Sequence, residues 1–376
     1  MTRLVLIGAG HSHALLLDAW TKSPLPGVEV MLVAPVIQAP YSGMIPGWLA
    51  GQYRFDQCVV DFPGLCKRSG ARLIQAELIR LDPETNQVWL SDGQCLSYDW
   101  LSLNVGSTLK PPIGDERILA MRPLGTLKSR YETWLTKWQT VNDTAPLRLS
   151  AIGGGAAGVE SLLCVLHHLR QLRPDRKIHS QLLTRASAIL PGFSNHARRL
   201  AMQALHQAGV TLRLGTDWSE SISQASDLVI WATGAEPHDW QLDPALRGSL
   251  HTDASGFIKV DDCLRSVSHA NIFAVGDCAA LSRPVPKAGV YAVRMGPILT
   301  TNLTNAITEK PLVPFKRQVT ALALLNTADG YAIASWGPYG WRSRWVMRWK
   351  DWIDRRFVDQ FGSGISYTNS STKGSQ

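Results

Sequence analysis

No Cys-x-x-Cys pair occurs in the 376 residues, although the chain holds six cysteines: Cys58, Cys66, Cys95, Cys164, Cys263 and Cys278. Their scatter predicts neither a zinc site nor the disulfide framework of a small secreted domain, so no metal is expected. Most of them read as small buried hydrophobes. Also missing is an apolar run of the ~18 residues that a membrane span needs. The chain enters a strand at Leu4, directly after Met1-Thr2-Arg3. That leaves no room for the charged and apolar regions of a signal peptide, and the expected compartment is the cytoplasm. Composition shows no extreme: 45% apolar and 18% charged residues suit a soluble α/β chain with two or three domains.

Two glycine-rich turns stand out against this ordinary background. Gly8-Ala9-Gly10-His11-Ser12-His13 and Gly153-Gly154-Gly155-Ala156-Ala157-Gly158 each follow a short apolar run and open a helical pattern. A pyrophosphate needs backbone N–H groups aimed at it from a helix N-terminus with no Cβ in the way, which is the service such glycines provide. One match of this kind is weak evidence, and two at this spacing predict two dinucleotide sites. Two more apolar strands, Asp227 to Gly234 and Asn271 to Asp277, end in the small residues Ala232-Thr233-Gly234 and Gly276-Asp277 and leave room for a cofactor.

In the order turn, turn, Ala-Thr-Gly, Gly-Asp, residues 1 to about 310 resemble the pyridine nucleotide-disulfide oxidoreductase superfamily of FAD-dependent enzymes. The loops Gly10 to His13, Tyr41-Ser42-Gly43-Met44-Ile45-Pro46-Gly47, Pro286-Lys287-Ala288-Gly289-Val290-Tyr291-Ala292-Val293-Arg294 and Ala334 to Gly337 are more specific. To about residue 361 they look like a bacterial branch related to type II NADH dehydrogenases. That branch often occurs fused to, or encoded beside, selenophosphate synthetase. The resemblance implies FAD in the first site, NAD(P)H in the second and a small-molecule electron acceptor. Selenophosphate synthetase is implied as a partner by genomic association alone. Disulfide reductases of the superfamily carry a close cysteine pair, whereas Cys58 and Cys66 stand eight apart across Pro63 and Gly64, so electrons are expected to leave the flavin directly.

The fold expected is α/β, with two Rossmann-like dinucleotide-binding domains and a small C-terminal region. Residues 1–145 form the first part of the FAD domain, 146–238 an inserted NAD(P)H domain and 239–311 the second part of the FAD domain. Residues 312–365 make a β and amphipathic-helix region, and 366–376 a disordered tail. Strands are predicted at Leu4 to Ile7, Val28 to Val33, Trp100 to Val105, Ile178 to Leu183 and Val210 to Leu214. Alternation between Arg72 and Ser102 predicts an antiparallel excursion.

Roles follow from the resemblance residue by residue. Gly8, Gly10, His11, Ser12, His13, Ser42, Pro46, Gly106, Gly276, Asp277, Ala288 and Gly289 belong to the FAD site. Gly153, Gly155, Gly158, Arg185 and Gly234 belong to the NAD(P)H site. Asp277 is expected to accept a hydrogen bond from the flavin ribityl chain, since a buried acid without a partner is costly. Lys287, counted in the FAD site and as a catalytic group, would add positive charge at the flavin pyrimidine edge beside a helix N-terminus. The rival reading is a surface lysine. Glu160, the other catalytic candidate, matches a position beside nicotinamide and flavin; its rival reading is a first-turn acid favoured by the helix dipole.

The departures matter as much. His13 replaces a third glycine, and the strand ending Val33-Ala34-Pro35 lacks the acid that binds adenosine ribose. His11 and His13, at a helix N-terminus, are expected neutral. Leu182-Leu183-Thr184-Arg185 likewise offers no carboxylate, and Arg185 either meets a 2′-phosphate or is an exposed arginine. Type II NADH dehydrogenases line their quinone site with two glutamines, for which this chain has Val290 and Arg294.

Five of the 14 tryptophans fall between Trp336 and Trp352. Trp341, Trp345, Trp349, Trp352, Ile353 and Phe357 recur at helical spacing as one stripe. Arginines between them carry much of the net charge of +8. A helix over 338–361 with this pattern docks on the protein's own core or a subunit, or lies on an anionic membrane. No nucleic-acid partner is expected, because no binding motif accompanies the aromatics. Three functions are open: an NAD(P)H oxidoreductase for a small acceptor with a link to selenium metabolism, a membrane-surface NAD(P)H:quinone reductase, and a flavoprotein whose redox state controls docking to selenophosphate synthetase.

Overall fold

The structure, a computed structural model, describes residues 1–140, 145–318 and 320–362. The tail expected at 366–376 and most of the link at 141–146 lie outside these residues.

Two five-stranded parallel sheets organise the molecule. The first runs in the order Ile272–Ala274, Trp100–Leu103, Thr2–Ile7, Val28–Val33, Arg72–Ile74. Its strands read as near-continuous apolar runs because both faces are covered: Leu4, Leu6 and Leu32 pack with Ala14, Leu16 and Leu17 of the helix that follows the first strand, and Val5, Ile7, Met31 and Val33 pack on the antiparallel strands between Leu78 and Leu90. Helix α1 (His11–Lys22) joins its first two strands in chain order. The second sheet runs Ile118–Ala120, Leu228–Trp231, Leu147–Ile152, Ile178–Thr184, Val210–Leu214. Helix α2 (Ala156–Leu172) and helix α3 (Asn195–Gln207) are its crossovers. The strand Ile118–Ala120 lies before the division at 146 and yet hydrogen-bonds to the second sheet. At three residues it is too short to carry a readable pattern. Between Leu78 and Ser97 the chain forms the expected antiparallel excursion of three strands.

Helix α4 (Gly289–Ile307) returns the chain across α1, with Gly296 of α4 against Leu15. A three-stranded antiparallel sheet follows, formed by Ala323–Asn326, Ala332–Trp336 and Tyr339–Ser343. Helix α5 (Arg344–Asp359) closes the described chain, capped by Ser343 Oγ, which accepts the Val346 N–H.

The tryptophan stripe does not cover apolar surface of the protein's own core. Trp345 and Trp352 are 62% and 55% exposed, and Trp341 lies in the preceding strand at 37%. The buried face of α5 is Val346, Lys350, Asp354, Phe357 and Val358. That second stripe has helical spacing too, but it contains two charges, so apolar periodicity selects the wrong face. Lys350 and Asp354 tolerate burial because they neutralise each other at 2.7 Å. Phe357 sits on the buried face, and Trp345 stacks on Trp349 with centroids 5.3 Å apart.

Candidate active site

The first cradle is built around a residue the sequence reading missed. Gly8 has φ +96°, and a Cβ there would collide with the carbonyl of Asn104; a Cβ on Gly10 would collide with the Asn104 side chain. Asn104 Oδ1 accepts the N–H groups of Ser12 (3.1 Å) and His13 (3.4 Å), and its Nδ2 donates to Val275 O at 3.0 Å. This one amide caps α1 from across the sheet, since Gly10 at the N-cap has no side chain for the purpose. It also pins the segment before Gly276. The visible signal was an amide near the end of a largely apolar return strand.

His13 fills the space of the third glycine and bonds at both ring nitrogens. Gly8 O can only accept, so Nδ1 carries the proton at 2.7 Å and Nε2 accepts from Ser102 Oγ at 2.8 Å. Burial pushes His13 and His11 down to about 4, which leaves both neutral at physiological pH. Ser12 Oγ donates to Ala292 O of α4 at 2.6 Å. A Cβ on Gly289 would collide with Ser42 Oγ and touch His11. The N-termini of α1 and α4 therefore converge at His11 and Ser42, giving two sources of positive field over one space. Ala288 is the extended N-cap of α4, and Pro46 lies in the buried helix Ile45–Leu49.

Asp277 Oδ2 accepts from Arg122 Nη1 at 2.5 Å and from Ser107 Oγ at 3.3 Å. Arg122, a second missed residue, also donates to the backbone carbonyl of Lys287 at 3.1 Å. The Lys287 ammonium points elsewhere: it donates to Ala279 O at 2.5 Å and lies 3.9 Å from the centroid of Phe257. Burial lowers its pKa.

The second cradle is cut more simply. Gly153 has φ +119°, and a Cβ on Gly158 would meet the Gly153 carbonyl, so close passage of α2 over the turn demands glycine at both. No atom lies within 4 Å of a Cβ built on Gly155 or Gly234, which leaves open space beside the turn, and the same holds at Gly106 of the first cradle. Arg185 is exposed at the end of the strand Ile178–Thr184. The glycines present, the converging helix ends and the Asp277 carboxylate fit two dinucleotides.

Between the cradles lies a buried charge cluster that joins three regions of the chain. Glu160 on α2 accepts the Asn326 N–H at 2.7 Å. Lys350 Nζ donates to Gly43 O at 2.6 Å and to Asp354 Oδ2 at 2.7 Å. Burial raises the Glu160 carboxyl to about 7, with Lys350 opposing the rise. Burial alone would lower Lys350, yet Asp354 and Glu160 hold its pKa above the usual lysine range. Tyr41 stacks on Phe357 at 4.4 Å and lies 5.2 Å from His11. The inner face of α5 is thereby connected through Tyr41 and Gly43 to the first cradle. On α4, Val290 is 36% exposed, and Arg294 Nη1 is buried without a hydrogen-bond partner among the described residues.

The family model described as pyridine nucleotide-disulphide oxidoreductase matches residues 2–296. The Alternative NAD(P)H-ubiquinone oxidoreductase C1 of Arabidopsis thaliana is 25% identical over 366 residues, covering 84% of this chain and 69% of that protein. The solved sulfide:quinone oxidoreductase of Aquifex aeolicus superposes with a TM-score of 0.77 at 16% identity, over 96% of this chain and 91% of that one. NDH2 of Plasmodium falciparum in complex with NADH superposes at 0.76 with 15% identity, over 96% and 97%. Likenesses at these identities establish a common fold.

Proposed function

The chain belongs to the pyridine nucleotide-disulphide oxidoreductase family, and from that premise we propose that this FAD-dependent NAD(P)H oxidoreductase works on a membrane surface and reduces a quinone. FAD, when bound, would supply two-electron redox chemistry between the nicotinamide and an acceptor. The protein's part is position and field. Gly8 and Gly10 would admit the pyrophosphate at α1, while Asn104 holds the Ser12 and His13 N–H groups of that turn in place. The α4 N-terminus favours negative charge beside His11 and Ser42. Asp277 would accept a ribityl hydroxyl, its carboxylate aimed by Arg122 and Ser107. Glu160, with a pKa near neutrality, holds or releases a proton at its carboxyl within the working pH range.

The observation that carries the membrane reading is the outer face of the C-terminal region. Trp336, Tyr339, Trp341, Trp345 and Trp352 are exposed together with Arg344, Arg348 and Arg356. Exposed indoles with interleaved arginines suit an interfacial helix on an anionic bilayer. Among the described residues no helix is long and apolar enough to cross a membrane, so the contact proposed is peripheral. The ubiquinone named for the Arabidopsis relative supports the acceptor class.

A second reading rests on Arg294: a buried guanidinium nitrogen without a partner suits an acceptor with an anionic oxygen, soluble rather than lipidic. The selenium-linked acceptor and the association with selenophosphate synthetase belong to this reading and rest on the resemblance alone. Co-sedimentation with anionic and zwitterionic vesicles, run beside turnover with a vesicle-borne quinone and with ferricyanide, separates the two. Salt-sensitive binding to anionic vesicles and faster turnover of the embedded quinone support the membrane reading. Absence of both, with brisk ferricyanide reduction, refutes it.

A further inference from the structure

From residue 176 to residue 216 the sequence contains no aspartate or glutamate, while it holds Arg176, Lys177, Arg185, Arg198, Arg199 and Arg213. This acid-free stretch is the strand Ile178–Thr184, helix α3 and the strand Val210–Leu214. It therefore surrounds the strand end at which a dinucleotide presents its adenosine ribose. The Gly153 N–H donates to Leu183 O at 2.8 Å, and the Thr184 side chain packs against Gly154, so Thr184 occupies the place of the acid that would hold a ribose 2′-hydroxyl.

The loop beyond that strand end is anchored to the phosphate turn. Leu190 N–H donates to Gly154 O at 2.7 Å, and Leu190 O in turn accepts Arg198 Nε at 3.1 Å. Arg198 is thus held relative to the turn, with its terminal nitrogens left over. A cavity of about 500 Å³ opens three residues beyond Arg185, lined by Ala188, Ile189, Asn195, Arg198, Arg199 and Met202. Among the described residues neither Arg185 nor Arg199 has a carboxylate within ion-pair distance.

We propose that the hydride donor is NADPH and that Arg185, with Arg198 and Arg199, binds its 2′-phosphate. This specifies the donor within the oxidoreductase reading above and rests on it. The 2′-phosphate carries close to two negative charges at neutral pH, and guanidinium forks match its oxygens in charge and geometry. NADH offers a neutral hydroxyl there, and the carboxylate that would compensate is absent.

The test uses the FAD-loaded full chain. Flavin reduction by NADPH and by NADH is followed anaerobically, and binding of adenosine 2′,5′-bisphosphate and of 5′-AMP is measured by calorimetry. The expected results are a kcat/KM at least about tenfold higher for NADPH, expressed in KM, and a bisphosphate affinity at least about tenfold above that of 5′-AMP. In Arg185→Ala and Arg199→Ala the ratio of the two donor efficiencies should fall severalfold, with partial recovery in Arg185→Lys. A ratio at or below one in the wild type, or equal binding of the two probes, overturns the inference. Flavin that neither donor reduces overturns the oxidoreductase reading instead, and the probe affinities then still decide the phosphate site.

Discussion

Replacing Glu160 with Gln should make the protein more stable at high pH and leave it little changed in acid. The Glu160 carboxyl is raised from 4.5 to about 7 by burial, so the folded state binds this proton more tightly than the unfolded chain does. Below pH 4.5 both states hold the proton and the carboxyl adds no pH-dependent term. Between pH 4.5 and 7 the unfolded state loses its proton first, and folding stability falls by ~1.36 kcal/mol per pH unit. Above pH 7 the loss levels off at about 3 kcal/mol, an order-of-magnitude figure from that shift. Gln does not titrate and can still accept the Asn326 N–H. Lys350 keeps Asp354 and Gly43 O in both proteins, so the exchange of carboxyl for amide adds only an offset that depends little on pH. Urea denaturation of both proteins at pH 5, 6, 7 and 8, in the same FAD-loaded form, gives the difference directly while titrations common to both cancel. The Gln variant should gain steadily on the wild type from pH 5 to 7 and hold its lead at pH 8. Parallel curves, or a lead that shrinks with pH, would refute the burial argument.

The other expectations concern the cradles and α5. Asp277→Ala should weaken FAD retention by roughly 10- to 100-fold, the loss of a charge-assisted hydrogen bond, read as FAD content after dialysis; undiminished retention removes the ribityl role. Gly8→Ala should abolish FAD loading, because φ +96° and the Asn104 carbonyl leave no place for the methyl group, and a yellow variant would contradict the cradle. Lys350→Met leaves Asp354 and Glu160 buried without their cation and should cost about 3–5 kcal/mol of stability; an unchanged melting temperature would show that the pair is not buried in solution. Trp345→Ser with Trp352→Ser should lower anionic-vesicle binding by an order of magnitude or more while FAD content stays at the wild-type level, and retained binding would move the membrane contact elsewhere.

What the sequence disclosed was mostly what backbone chemistry dictates. Gly8, Gly10, Gly153 and Gly158 are legible because a phosphate turn and a close helix crossing admit no Cβ, and two such turns name two nucleotide domains. Asn104 and Arg122 were hidden because their partners, Val275 and Asp277, lie 171 and 155 residues away, and no local period records a hydrogen bond across a sheet. Lys350 and Asp354 were hidden for another reason: hydropathy treats each as a surface residue, and only their mutual neutralisation makes burial affordable. The same blindness left core packing and membrane contact both open for the tryptophans, since a stripe of indoles resembles a core face whether or not anything covers it.

The anchoring of Gly43 by Lys350 also sets an order in time. The two residues are 307 positions apart, so at ~5–20 residues per second a ribosome delivers Lys350 about 15–60 s after Gly43. Until α5 emerges, the Tyr41–Met44 segment beside His11 has neither its cation nor the Phe357 ring to rest on. Helix α5, made about 300 residues later, thus finishes a wall of the cofactor cradle begun first. A chain cut short before residue 344 would have both glycine turns and both parallel sheets and still lack that wall. Tight retention of FAD would then mark a chain translated through α5.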